Sequence, residues 1–432
     1  MSTLSGRPPA FTYRTVRKGL LRRGSLGLSC EDVPLSQLAE RYGTPLYVYS
    51  ASTIRERTRA LQRAFRKARH TVCYSVKANS NLSILKLLGS LGCGFDVVSV
   101  GELERVLRVD KRAAKNVVFS GVGKRRDELE LALKAGILLF NVESEGELEL
   151  LGECAGRLRR TAQIALRVNP DVSAKTHPYI STGLHQHKFG IPLAQARGLY
   201  RQALGLKNLK TRGVSVHIGS QITDVEPFTL ALERVAELVR ELRSDGHAIE
   251  YVDAGGGLGI PYDESGAADF VSYAAAVLKP LRGLKVHLLL EPGRSIVGPA
   301  GALVTTVLYR KTNHGKKFVI VDAAMNDLLR PSLYGAYHEI VPVQIASDDT
   351  ESVDVVGPVC ETGDFLARDR EMMAVHGGDF LAVLDVGAYG MALTSNYNTR
   401  MRAAEVMVDG KSVRVIRRRE TMEDVLRAEC RP

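Results

Sequence analysis

The sequence holds no stretch of about 20 consecutive apolar residues, the length a helix needs to cross a bilayer, so a membrane-spanning protein is not expected. Its first residues, MSTLSGRPPA, lack the continuous apolar run of a secretory signal, so export is not expected either. The six cysteines (Cys30, Cys73, Cys93, Cys154, Cys360, Cys430) form no C-x-x-C pair. That excludes a zinc ribbon and a disulfide scaffold, fits reduced thiols in a cytoplasm, and leaves no metal site expected. A dense basic block is also missing. The net charge of +11, from 59 Lys+Arg against 48 Asp+Glu, is dispersed, and clusters such as Arg66-Lys67-Ala68-Arg69 fall on an amphipathic helical pattern. This reads as a solvated basic face that favours anionic small molecules, with no nucleic-acid partner.

What is present is an alternation. Of 432 residues, 45% are hydrophobic and 25% charged, enough for a large core. Eight short apolar runs recur: 71–77, 94–99, 116–120, 137–142, 162–169, 213–219, 249–256 and 286–293. Between them lie segments of helical period such as 102–109, 127–136 and 228–242. Eight such units predict a closed (β/α)8 TIM-type barrel. Ser99 with Glu102, and Ser144 with Glu147, read as capping boxes that open helices. The connection from strand five to strand six, with PDVSAKTHPYISTGLHQHKFGI, is too polar and too punctuated by Gly and Pro to be helix throughout, and a long loop there is expected to be functional.

Outside the barrel the period changes to two, in 11–29, 301–311, 316–323, 380–390 and 403–418, with Asp409-Gly410 as a hairpin signal. The fold class expected is therefore α/β: a barrel plus a mainly antiparallel β-domain. The expected division is 1–45 as an N-terminal arm joining the β-domain, 46–297 as the barrel and 298–432 as the β-domain.

Active sites of such barrels stand at the C-terminal ends of the strands. Lys77 ends strand one, His217 ends strand six, Gly255, Gly256 and Gly257 follow strand seven, and Glu291 with Arg294 follows strand eight. A triple glycine lets backbone N–H groups approach an anion, so a phosphorylated ligand is implied. The dinucleotide fingerprint fails because position 260 is Ile260, and Gly121-Val-Gly123-Lys124 lacks the upstream glycine and following hydroxyl residue of a phosphate-binding P-loop. A lysine amine, a phosphate site, a carboxylate and an imidazole at one mouth are the parts that hold pyridoxal phosphate.

Five strings, Tyr74-Ser-Val-Lys77-Ala-Asn79, His217-Ile-Gly-Ser220-Gln221, Asp253-Ala-Gly-Gly-Gly257-Leu-Gly259, Glu291-Pro-Gly-Arg294 and Cys360-Glu361-Thr-Gly-Asp364, resemble the fold-type III decarboxylases that use pyridoxal 5'-phosphate. The string from Leu329-Arg330 through Tyr334 to Ile340 resembles the diaminopimelate decarboxylases among them. The resemblance implies that Lys77 holds the cofactor covalently and that His217 stacks on its ring. Ser220, Gly256, Gly257, Glu291, Gly293, Arg294 and Tyr389 would complete the cofactor site, with Glu291 facing the pyridine nitrogen. It implies a substrate set of Arg294, Arg330, Tyr334, Glu361 and Tyr389, and Cys360 as the catalytic residue that reprotonates the substrate carbon from the neighbouring subunit of a homodimer. The implied substrate is meso-diaminopimelate and the product L-lysine.

The chemistry of that substrate agrees. It carries two carboxylates and two ammonium groups, and Arg294, Arg330 and Glu361 offer cations and an anion to match. The alternative is another decarboxylase of the same fold, acting on ornithine, arginine or carboxynorspermidine; ornithine and arginine lack a carboxylate at the far end for Arg330, and racemase chemistry wants an arginine in place of Glu291. A non-catalytic cofactor carrier would be a short barrel, whereas this chain has a β-domain. Thr362, His187 and Met401 depart from the common family pattern, none at an expected catalytic position.

Overall fold

The computed structural model describes residues 10–15, 26–172, 188–263, 266–345 and 348–430. Two compact units emerge: Met1–Glu56 with Tyr262–Ser265 and Ile296–Pro432, and Arg57–Pro261 with Gly266–Ser295.

The second unit is the barrel. Its strands are His70–Ser75, Gly94–Val97, Val117–Phe119, Leu139–Val142, Ala162–Asn169, Leu209–Val216, Tyr251–Asp253 and His287–Leu290. Each pairs in parallel with the next, and Leu288–Leu290 pairs with His70–Val72, which closes the ring. Gly94–Val97, Val117–Phe119 and Leu139–Val142 are buried along their whole length and the other five strands over most of theirs, as a parallel sheet covered by helices requires, which is why they read as apolar runs with no alternation. Inside, Cys73, Val118, Leu139, Ala165 and Leu289 pack as one cluster.

Helices cover the ring with one apolar face each. In Glu226–Ser244 the buried positions Phe228, Ala231, Leu232, Val235, Val239 and Leu242 recur at three and four. The two expected caps form with a one-residue shift in their return bond. Ser99 Oγ accepts from Glu102 N at 3.3 Å, but the Glu102 carboxylate accepts from Val98 N at 2.8 Å. Ser144 and Glu147 repeat the arrangement, with Glu147 accepting from Glu143 N at 3.0 Å. Of the long connection between strands five and six, residues 173–187, including His187, lie outside the described residues.

The first unit is built on a sheet ordered Phe365–Met373, Thr350–Val356, Lys316–Val321, Gly301–Asn313, Leu46–Ser50, Ala404–Asp409, Ser412–Arg417. It is mainly antiparallel, with parallel pairs at Lys316–Val321 with Thr350–Val356 and at Leu46–Ser50 with Ala404–Asp409. The hairpin expected at Asp409-Gly410 is present, with Gly410 at φ 61°. Phe11–Thr15 and Leu26–Cys30 form a smaller sheet in which Gln344–Ile345 also pairs. Leu46–Ser50 differs from the expected barrel start at 46. It pairs antiparallel with Gly301–Val304 and parallel with Ala404–Val408, so it is a central strand of this sheet. Its five buried residues, LYVYS, look like a barrel strand for the same reason barrel strands do. Among the described residues no helix is long and apolar enough to cross a membrane.

Candidate active site

Because the barrel strands are parallel, the residues that follow them gather at one end. Lys77 stands on the single turn Val76–Ala78 after strand one, and its Nζ donates to Asp96 Oδ2 at 3.0 Å. The lysine side chain is 33% exposed and that of Asp96 0%, so the ammonium can be reached from outside while its counter-ion cannot. Ser75 Oγ also donates to Asp96 Oδ2, at 2.7 Å.

Glu102, capping the next helix, lies in the field of Asp96 and Lys77; burial pushes its carboxyl up to about 7. A folded-state value raised this way means that the folded protein holds the extra proton, so stability is full below the unfolded value and falls as pH rises towards about 7. Glu102→Gln is expected to flatten this slope, by up to about 3 kcal/mol across that window. Comparing thermal unfolding midpoints of parent and variant at acid and alkaline pH checks it; an unchanged gap would show that another group sets the slope.

Behind the lysine, a buried polar cluster lines the ring. Asn141 Nδ2 donates to Asp253 Oδ2 at 2.7 Å and to Ser120 Oγ at 3.1 Å, and Ser120 Oγ donates to Glu291 Oε1 at 3.3 Å. Burial, reinforced by the charges of Asp253 and Asp96 against the smaller opposing pull of Lys77, drives the Glu291 carboxyl well above its ordinary range. Burial also raises Asp253, but Asn141, Glu291 and the Gly255 N–H all hydrogen-bond its carboxylate and pull it back. Of the two, Glu291 is the carboxyl that burial and the neighbouring carboxylates push further towards its protonated form.

His217 follows strand six and accepts from Gly256 N through Nδ1 at 3.2 Å, which puts its proton on Nε2. Burial first, then the charges of Arg167 and Lys77, hold the ring well below its usual pKa, so it is neutral. A side chain at Gly256 could not exist here, since a Cβ would come within 2.0 Å of Glu291 O. Gly293 lets the turn after strand eight pass the lysine turn, its Cβ position being 2.8 Å from that of Ala78. Gly257 follows at φ 108°. Arg294 is buried and its Nη2 donates to Ser220 Oγ at 3.1 Å. Lys77, His217, Ser220, Gly256, Gly257, Glu291, Gly293 and Arg294 thus share the barrel mouth.

Lys124 of the rejected P-loop string is fully occupied: its Nζ donates to Gly121 O, Asn141 O and Glu147 Oε1 at 2.9, 2.7 and 2.6 Å. Asp96, Asn141, Ser120, Asp253 and the buried Glu143–Arg167 ion pair at 2.9 Å join the site without any role assigned by the sequence motifs. The signal for three of them was a lone polar residue inside an otherwise apolar strand: Asp96 in GFDV, Asn141 in LFNV and Asp253 in YVD.

The remaining expected residues belong to the first unit. Arg330 opens the short helix Arg330–Tyr334 and is buried. Its Nη1 donates to Tyr262 OH and to His338 Nε2, each at 2.8 Å, and its guanidinium lies 4.8 Å from the centre of the Tyr262 ring. Since arginine only donates, His338 accepts at Nε2, and its Nδ1–H donates to Leu384 O at 2.9 Å. Ser332 Oγ donates to Gly363 O at 2.6 Å, tying the Arg330–Tyr334 helix to the turn that carries Cys360 and Glu361, both exposed. Tyr389 is half-buried at φ 56°.

A lysine reachable at a barrel mouth that also holds a buried carboxyl pair and a glycine turn defines the class of barrel enzymes that use pyridoxal phosphate. Residues 51–298 match the pyridoxal-dependent decarboxylase family in its pyridoxal binding domain. Diaminopimelate decarboxylases of Neisseria meningitidis serogroup A and Pseudomonas aeruginosa are 52% and 51% identical over 93% of this chain, and 98% and 96% of theirs. The crystal structure of the Helicobacter pylori diaminopimelate decarboxylase complexed with L-lysine is 43% identical, with a TM-score of 0.88 over 91% of this chain and 99% of that one. The chain belongs to the diaminopimelate decarboxylase family of pyridoxal-dependent enzymes.

Its cofactor is pyridoxal 5'-phosphate, and the residues present fit it. Asp96 Oδ1 and Asn141 Oδ1 are buried polar atoms with no hydrogen-bond partner among the described residues, lying beside Lys77 and Glu291. A polar guest satisfies such atoms, and the glycine at 256 leaves room for backbone approach.

Proposed function

We propose that this chain decarboxylates meso-2,6-diaminopimelate to L-lysine and CO2, the last step of lysine biosynthesis, as a cytoplasmic homodimer with shared active sites. The observation that carries the reading is the reachable Lys77 ammonium at the same barrel mouth as the buried Glu291 carboxyl. Bound pyridoxal phosphate supplies an aldehyde that condenses with amines and a protonated ring that takes up the electron pair left when CO2 departs.

Lys77 would hold the cofactor through its amine, with Asp96 as the counter-ion of its ammonium. Glu291 would face the ring nitrogen and hold a proton there. The neutral His217 offers a flat, uncharged face to stack on the ring, so it does not compete for the positive charge on the nitrogen. Ser220, Gly256, Gly257, Gly293, Arg294 and Tyr389 bind the cofactor. Arg294, Arg330 and Tyr334 bind the carboxylate the substrate keeps, Glu361 binds its distal ammonium, and Tyr389 lies near both ligands. Cys360 of the neighbouring subunit delivers one proton to one face of the substrate carbon.

The buried Arg330 makes the substrate choice physical. A guanidinium held in place by Tyr262 and His338 offers a fixed cation to the carboxylate that meso-diaminopimelate keeps and that ornithine does not have. Assay of meso-diaminopimelate beside ornithine and arginine is expected to give a kcat/KM preference of about 10^4-fold, as for sites built around a substrate's polar group. Comparable turnover of ornithine would overturn the substrate assignment and keep the cofactor.

A further inference from the structure

The geometry points to Tyr397 and Asn398 as positioning residues: the tyrosine hydroxyl fixes the Glu361 carboxylate, and the asparagine amide fixes the backbone of Cys360. The inference rests on the proposed roles of those two residues and goes one step behind them.

Cys360 and Glu361 sit on an exposed turn, which by itself would leave both side chains poorly placed for chemistry. The turn is held from two sides. At its back, the buried Asp364 carboxylate accepts from Val359 N at 2.7 Å and from Met325 N at 2.6 Å, folding the chain around itself. At its front stands the segment Tyr397–Thr399. Asn398 Oδ1 accepts from Cys360 N at 3.0 Å, and hydrogen bonding to the Glu361 carboxylate holds the Tyr397 hydroxyl above its ordinary pKa.

The front segment is itself unusually shaped. Asn398 and Thr399 both adopt left-handed backbone, at φ 54° and 55°, a conformation that asparagine tolerates and threonine resists. It is braced on its own unit: Arg400 Nε donates to Asn326 Oδ1 at 3.2 Å, Ser395 N donates to Asn326 O at 3.1 Å, and Asn396 Nδ2 donates to Glu420 Oε2 at 2.7 Å. Strain of this kind persists where the surroundings over-determine it, and here its product is an amide oxygen and a hydroxyl aimed at two adjacent residues. A carboxylate meant to bind an ammonium loses less freedom on binding if a phenol already fixes its rotamer. A thiol that must deliver a proton to one face needs its own backbone held.

The two contacts predict separable effects. Tyr397→Phe removes one oxygen and is expected to raise KM for meso-diaminopimelate about 10-fold while kcat falls by less. Asn398→Gly keeps the left-handed backbone and removes only the acceptor. It is expected to lower kcat by about 10- to 100-fold with KM little changed. A second readout is the rate at which iodoacetamide alkylates Cys360 in the holoenzyme, measured in a Cys430→Ser background because Cys430 is also exposed. Asn398→Gly is expected to change that rate several-fold, and Tyr397→Phe to leave it alone.

Cys360→Ser and Glu361→Gln run beside them. If those two are impaired while Tyr397→Phe and Asn398→Gly stay within about twofold of the parent in kcat, KM and alkylation, the positioning role is wrong and the site reading stands. If Cys360→Ser and Glu361→Gln are themselves silent, the site reading fails and takes this inference with it. Should Asn398→Gly not fold, the KM-against-kcat split of Tyr397→Phe decides the matter alone.

Discussion

Lys77→Ala is expected to lower L-lysine formation by at least about 10^3-fold and to remove the visible absorption that a lysine-bound cofactor gives the purified protein. The reasoning is local. The amine is the reachable cation at the mouth that can bond covalently to an aldehyde, and it is presented by a tight turn whose backbone is pinned by Ser75 N donating to Pro292 O at 3.0 Å. Alanine keeps the turn but leaves Asp96 without its ammonium, so a fold check by circular dichroism belongs with the assay. A variant that remains yellow and active would place the covalent bond elsewhere.

Glu291→Gln is expected to lower kcat by about 10^2- to 10^3-fold while leaving the protein as stable as the parent at neutral pH. Glutamine is close in shape to the protonated carboxyl that burial and Asp253 already impose, and its NH2 can donate to Asp253 as the acid does. The fold is therefore satisfied. An amide, however, has no proton to give a pyridine nitrogen and no negative charge to keep it there. Measuring kcat and the unfolding midpoint on the same preparation separates the two effects. A variant that loses stability and keeps kcat would show that the carboxyl is structural.

Much of this was legible in the sequence, for a definite reason. The barrel strands are short, apolar and buried on both faces, and helices of clear period separate them, so runs such as 137–142 and 162–169 mark Leu139–Val142 and Ala162–Asn169 closely. Composition does not separate Leu46–Ser50 from a barrel strand, since an equally buried central strand of a mixed sheet has the same composition. Thr350–Val356 and Phe365–Met373 lack the signal because their pattern is half polar: each strand buries only three of its residues.

At the site, Lys77, His217 and Glu291 could be found because they directly end or follow strands that could be counted. Asp96, Asn141 and Asp253 could not be joined to them. Each is one polar residue in a different strand, and their meaning comes from the closure of the ring, which brings Asn141 to 2.7 Å from Asp253 across 112 residues of chain. The same holds for Asn398 and Cys360, which a long stretch of β-structure separates in sequence.

The most direct test is to incubate the purified chain with added pyridoxal phosphate and meso-diaminopimelate, with Lys77→Ala as the control, and to quantify L-lysine and CO2 together. The account predicts equal amounts of both from the parent and neither from the control. A yellow parent protein that releases no CO2 from meso-diaminopimelate would contradict it.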